Sequence, residues 1–239
     1  MNIAFGISPL KKSQLQSYIK AGVDEFFTGY ISREWINTFG WEVSINRRQW
    51  PGASFTAPGE LEEVVRIIHK NGKKIFLTIN EHDYSEKELD LLLKIIRELR
   101  PIPLDAFIVS SLPLMIKLRN KGVKTPFHIS IGGGCNNFEV MRFYKKNIEN
   151  ITRYILPRKL TIEEITRIAK EAKPEGVELE IFGIAHLLLP SENSLDQAPA
   201  DFGWSNPGQA LSQPVIVPGQ SRRIARHDRL ARIDRLDGR

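Results

Sequence analysis

A short apolar run followed by an amphipathic stretch recurs seven times between Asn2 and Gly183, and this alternation limits the available folds more than any other feature. The runs are Asn2–Ile7, Asp24–Tyr30, Lys73–Asn80, Ala106–Ser111, Pro126–Ile131, Arg153–Arg158 and Val177–Gly183. Between them the spacing predicts helices over Lys11–Gly22, Pro58–Gly72, a segment opened by Ser85, Leu112–Gly122, Asn136–Asn147 and Thr161–Lys173. Ser85 with Glu88, and Thr161 with Glu164, have the spacing of a reciprocal N-terminal cap. Gly22 and Gly72 stand where helices stop.

Strands that alternate with helices pair in parallel through right-handed crossovers. Two α/β architectures fit this pattern: a (β/α)8 barrel and an open doubly wound sheet. An open sheet of the dinucleotide-binding kind needs a Gly-rich turn after its first strand, and none follows Asn2–Ile7. The expected fold is therefore a (β/α)8 TIM-barrel-like domain over residues 1–183, incomplete because only seven β/α strands are recognisable. Residues 31–57 read as a long insertion bearing Arg33, Trp35, Trp41, Arg47, Arg48 and Trp50.

The sequence changes character after Gly183. The first 183 residues hold 16 Lys and 11 Arg, whereas residues 184–239 hold no Lys and 7 Arg. This second segment is expected to be a disordered or frame-shifted tail, with the eighth unit of the barrel missing or disguised.

Charge and cysteine usage bound the chemistry. A formal charge of +6 favours an acidic partner such as RNA. Cys135 is the single cysteine, which rules out intrachain disulfides and a metal site built from cysteines alone. No apolar run is long enough to span a bilayer, and the N-terminus lacks a basic, apolar leader, so a cytoplasmic location with no membrane partner is expected. There is no HExxH, GxSxG or clustered metal-ligand spacing, so no metal site is expected.

Barrels bind ligands at the C-terminal ends of their strands. Those ends read Thr28-Gly29-Tyr30, then Thr78, Asn80, Glu81 and His82, then Ser110-Ser111, then His128 and Ser130, then Arg158. Polar residues recurring there form a rim suited to a peptide or a small anionic substrate, with Arg158 as its carboxylate or phosphate contact. The bland alternative is that they end strands and cap helices. The insertion at 31–57 offers a basic, aromatic surface that can stack on nucleobases and neutralise RNA phosphates, close a lid, or simply pack on the barrel mouth. Gly132-Gly133-Gly134 before a helix is a weak anion-binding signal. Cys135 with His128 or His82 is the one conceivable nucleophile and base; no catalytic residue is assigned.

Taken together, AGVDEFFTGY (21–30), GKKIFLTIN (72–80), LDAFIVSS (104–111), PFHISIGGGCNN (126–137), YILPRKLTIEEI (154–165) and VELEIFG (177–183) resemble the collagenase-like peptidase family U32 over residues 2–183. The resemblance implies a barrel and a peptidase (hydrolase, protease) label. It equally implies relatives that serve in oxygen-independent hydroxylation of RNA bases or quinone precursors with an iron–sulfur cluster on cysteines after the seventh strand. Gly29, Asn80, Asp105, Ser130, Asn137 and Arg158 carry over as family positions, the substrate-binding set being Gly29, Asn80, Ser130, Asn137 and Arg158. The chain departs at Lys159, where the family usually has Glu, at Ser110-Ser111, and after Gly183, where no cysteine follows. No cofactor is thus expected in this chain. Three readings follow: a peptidase, a hydroxylation component, or a catalytically silent barrel that binds RNA or protein.

Overall fold

The computed structural model describes residues 2–48 and 51–182. The expectations for residues 184–239, for Gly183 and for Trp50 lie outside the described residues. All seven expected strands are present: β1 Ala4–Gly6, β2 Glu25–Tyr30, β4 Lys74–Ile79, β5 Ala106–Val109, β6 Phe127–Ile129, β7 Ile151–Ile155 and β8 Glu178–Glu180. They pair in parallel in the order β1-β2-β4-β5-β6-β7-β8, a curled half-barrel with helices between its strands. Among the described residues nothing pairs with the outer edge of β1 or of β8.

The insertion differs from expectation. It contains a helix, α2 Arg33–Phe39, and a two-residue strand, β3 Ser54–Phe55, which pairs with Gly29 and Tyr30 of β2 above the point where β1 leaves off. Ser32 starts the helix by accepting a hydrogen bond from Trp35 N, and Gly40 ends it at φ 81°, a conformation that favours glycine. Strand β7 also begins two residues earlier than expected and stops at Ile155. Pro157 has no N–H to donate and cannot extend the ladder.

The remaining helices are α1 Leu15–Lys20, α3 Pro58–Lys70, α4 Glu86–Glu98, α5 Leu112–Asn120, α6 Phe138–Asn147 and α7 Ile162–Ala172. Both expected capping boxes form, at Ser85 with Glu88 and at Thr161 with Glu164. A 3-10 segment, Pro9–Gln14, replaces the first turns of the helix expected from Lys11.

Side chains alternate across a strand, so each strand serves two cores. Phe26, Ile75, Leu77, Phe107, Val109, Phe127 and Ile129 face the helices in one large buried cluster. Phe76, Ala106, Ile108 and Ile155, with Phe27, Ile131 and Phe182 packed on them, form a smaller cluster inside the curl of the sheet. Each fully buried Phe or Ile contributes roughly 1.5–3 kcal/mol, so both faces of the sheet hold the curl. No helix among the described residues is long and apolar enough to cross a membrane.

Candidate functional site at the barrel mouth

The C-terminal ends of the strands converge on one polar mouth. Asn80, just beyond β4, donates from Nδ2 to Ser130 Oγ at 3.2 Å, and Ser110 Oγ donates to the Asn80 carbonyl at 3.0 Å. Three strand ends, β4, β5 and β6, are thereby tied into one hydrogen-bonded arc. Asn80 Oδ1 is withdrawn from solvent and has no hydrogen-bond partner among the described residues. A buried acceptor left this way costs on the order of 1–3 kcal/mol, a cost that a donor on a ligand would remove.

Two glycines admit other groups to the mouth. A Cβ on Gly132 would stand 2.5 Å from the His82 ring and 2.6 Å from Ser110 Oγ. His82 and Ser110 therefore face one another across Gly132. A Cβ on Gly29 would stand 2.3 Å from both Asn46 Nδ2 and Ser54 Oγ, two insertion side chains joined by a 3.1 Å hydrogen bond. Gly29 thus lets the insertion press onto the end of β2.

The insertion brings positive charge with it. Asn46 Oδ1 accepts from Arg48 N at 3.2 Å, and Arg48 Nη1 donates to the carbonyls of Ile7 and Ala53 at 3.3 and 3.1 Å. The Arg48 guanidinium lies 5.4 Å from the Phe27 ring centre. Desolvation lowers its pKa to about 10. Arg158 lies 4.4 Å from the Phe182 ring centre, and burial, then the charge of Arg47, holds it below the ordinary arginine value. Tyr84 fastens the insertion to the segment after β4, donating to Ile45 O at 2.7 Å and accepting from Glu81 N at 3.2 Å.

Several sequence-derived candidates lie elsewhere. Asn137 caps α6, its Oδ1 accepting from Val140 N at 3.1 Å. Asp105 sits at the opposite end of the sheet, where Oδ2 accepts from Ile75 N at 2.8 Å and meets His69 Nε2 at 2.9 Å. Trp35 is fully buried and donates to Val43 O at 2.8 Å, so it offers no face to a nucleobase. Cys135 is buried, and desolvation raises its thiol to about 12. His128 points into the barrel against Phe76, and burial, then the charges of Arg153 and Lys74, lower it to about 3. Neither member of the conceivable Cys135–His128 pair is therefore poised for nucleophilic chemistry near neutral pH. Arg48 is the mouth residue that strand-end reading missed. Its signal was the Arg47-Arg48 doublet within the insertion.

The four-thiolate cluster implied by the resemblance does not fit these residues. The chain has one cysteine, and it lies behind Tyr144 and Tyr154, both within reach of its charge. Among the described residues no group of three or more His, Cys, Asp or Glu side chains is arranged to hold a metal ion.

Comparison with known proteins gives a consistent picture. The sequence profile of peptidase family U32 matches residues 11–190. An uncharacterized protease of Methanocaldococcus jannaschii is 32% identical over 53% of this chain and 30% of its own length. tRNA hydroxylation protein P of Escherichia coli is 29% identical over 50% of this chain and 26% of its length. Its Haemophilus influenzae counterpart is 32% identical over 48% of this chain and 24% of its length. The matched stretch thus spans less than a third of each of these relatives. A solved U32 peptidase superposes with a TM-score of 0.54 at 13% identity, covering 76% of this chain and 68% of the other. The catalytic domain of a Streptomyces mannanase superposes with a TM-score of 0.50 at 14% identity, covering 85% of this chain and 73% of the other. At those identities the two structures speak to the fold alone.

Proposed function

The chain belongs to peptidase family U32, and from that premise we propose that it acts on RNA of the tRNA class, holding the polyanion at the barrel mouth as a component of base hydroxylation. The observation that carries this reading is the gathering of Arg47, Arg48 and Arg158 around the polar arc of Asn80, Ser110 and Ser130. Guanidinium groups neutralise phosphate and add directional donors, and the strand-end amide and hydroxyls supply groups that read a base edge. Two of the relatives described above are tRNA hydroxylation proteins, in line with this reading. No redox step is assigned to this chain, because its own residues supply one thiol.

Peptide hydrolysis, the activity in the family's name, is the second reading. It is favoured by the placement of His82 opposite Ser110 across Gly132. Against it, the Ser110 hydroxyl donates to a backbone carbonyl, so its proton is not directed at a base.

Fluorescence anisotropy with labelled tRNA, run beside a casein-cleavage assay, separates the two. The RNA reading expects binding that weakens as salt rises, with no cleavage. Cleavage that is lost in both Ser110→Ala and His82→Ala, without tRNA binding, establishes the peptidase reading instead.

A further inference from the structure

Arg48 is set deeper than the rim, and the fold makes room for it. A Cβ on Gly6 would stand 3.2 Å from Arg48 Nη2 and 3.0 Å from the Phe27 ring on which the guanidinium lies. One nitrogen, Nη1, is spent on the carbonyls of Ile7 and Ala53; the printed bonds leave the donors of Nη2 and Nε unused. Among the described residues no carboxylate pairs with Arg48. Arg153, the other deeply set arginine, is met by Glu25, Glu178 and Glu180. A desolvated cation with no counter-charge is costly, and an anion offsets that cost.

Lys11 supplies a second charge. It follows β1 on the same side of the barrel, with its ammonium 5.3 Å from the Phe5 ring centre. It has no carboxylate partner among the described residues, whereas its neighbour Lys12 pairs with Glu63 at 2.5 Å. Burial, then the charge of Arg48, holds Lys11 below its ordinary pKa. The two cations are thus near enough to oppose one another, and a group carrying two negative charges would relieve both.

We propose that Arg48 and Lys11 form an inner subsite for a phosphoryl group, placed between the ends of β1 and β2 and the insertion. This rests on the reading of the mouth as a phosphate-bearing substrate's site, and it names the group taken there. A phosphoryl dianion matches the two cations in charge and presents several oxygens to a guanidinium edge and an ammonium. The phosphate can belong to RNA or to a free phosphate monoester.

The test is thermal-shift titration of the full chain with inorganic phosphate at constant ionic strength, beside tRNA binding. The expected result is a saturable stabilisation by phosphate that sodium chloride does not reproduce. Its apparent Kd should rise tenfold or more in Arg48→Met and in Lys11→Met, and less in Arg48→Lys. Lys11→Met is the decisive variant if Arg48→Met fails to fold, because its ammonium makes no hydrogen bond within the fold. Phosphate stabilisation that follows this pattern without tRNA binding defeats the RNA reading and keeps the subsite, with a free phosphate monoester as its source. tRNA binding without any phosphate effect, or phosphate binding unchanged in Lys11→Met, overturns the subsite and leaves the RNA reading in place.

Discussion

Arg153 Nη1 lies 2.6 Å from Glu25 Oε2 and Arg153 Nη2 lies 2.9 Å from Glu25 Oε1, across 128 residues of chain. The pair joins β7 to β2 through the inside of the curled sheet. Glu180 on β8 meets the same guanidinium at 3.1 Å, and Glu178 accepts from Arg153 Nε at 2.9 Å. Arg153 also stacks over Phe76 on β4, 5.2 Å from its ring centre. One side chain thus links four strands, including those near both ends of the strand order. It holds the curl from within, where no backbone ladder closes the sheet among the described residues.

Removing one partner of this network should cost more than removing both. Arg153→Met leaves the Glu25 carboxylate buried and unpaired, at roughly 3–5 kcal/mol of stability. The double variant Arg153→Met with Glu25→Leu should lose clearly less than the sum of the single losses. Urea unfolding of the four proteins measures this. A single-variant loss below about 1 kcal/mol would show that the network is not what keeps the sheet curled.

Acid should destabilise the fold through His128. Its folded-state pKa, about 3, lies below the ordinary histidine value, so between the two the unfolded chain binds a proton that the folded chain does not. Stability therefore falls as pH drops from about 6.5 toward 3. Glu25 adds loss at the acid end: burial opposes its charge, but Arg153 outweighs burial and holds its carboxyl below the ordinary value. That contribution is present above the ordinary glutamate pKa and is lost as pH falls through the lowered one. Glu180 works in the opposite sense, since burial raises its pKa and its charge is costly at higher pH. Tm measured from about pH 7 to pH 4 should decline less steeply in His128→Gln than in the wild type. Equal slopes would remove His128 from the account.

The strand-and-helix architecture was legible in the sequence because alternation and caps are local. All seven strands were found by their apolar runs, and Ser85 and Thr161 were found with their glutamates. The insertion was only half legible. Ser32 and Gly40 marked the ends of α2, but the short helix lies within a Trp- and Arg-rich stretch that looks like a surface loop. The site was less legible still. Asn80, Ser110 and Ser130 were found because they end adjacent strands. The depth of Arg48 depends on Gly6 and on backbone carbonyls at Ile7 and Ala53, contacts that no local pattern encodes. The Arg153 network joins residues too far apart in sequence for any periodicity to register.

Cys135 should be inert in the folded protein. Its thiol is buried and raised to about 12, so almost none is thiolate near neutral pH. Iodoacetamide followed by mass spectrometry should show no labelling under native conditions and full labelling in urea. Rapid native labelling would reopen Cys135 as a nucleophile.

Asn137 should behave as a helix cap. Asn137→Ala is expected to cost about 1 kcal/mol, with Asn137→Asp near neutral, as for other N-caps. tRNA affinity should be unchanged in Asn137→Asp. A stable Asn137→Asp variant that has lost tRNA binding would return the residue to the site.

Gly29 should tolerate no side chain. A Cβ there meets Asn46 and Ser54 at 2.3 Å, so Gly29→Ala must displace the insertion. Overpacking of this kind typically costs about 1–3 kcal/mol. Because Asn46 holds Arg48 N, the same variant should weaken tRNA binding. Unfolding and anisotropy on one preparation give both readouts, and unchanged binding would separate the insertion from the site.

The most direct test of the central claim is the salt dependence of tRNA binding in the wild type, Arg47→Ala and Arg158→Ala. If the mouth holds the RNA backbone, log Kd should vary linearly with log salt, and each substitution should reduce the magnitude of the slope by about 1. Wild-type slopes in both variants, or no salt-dependent binding by the wild type, would contradict the placement of RNA at the barrel mouth.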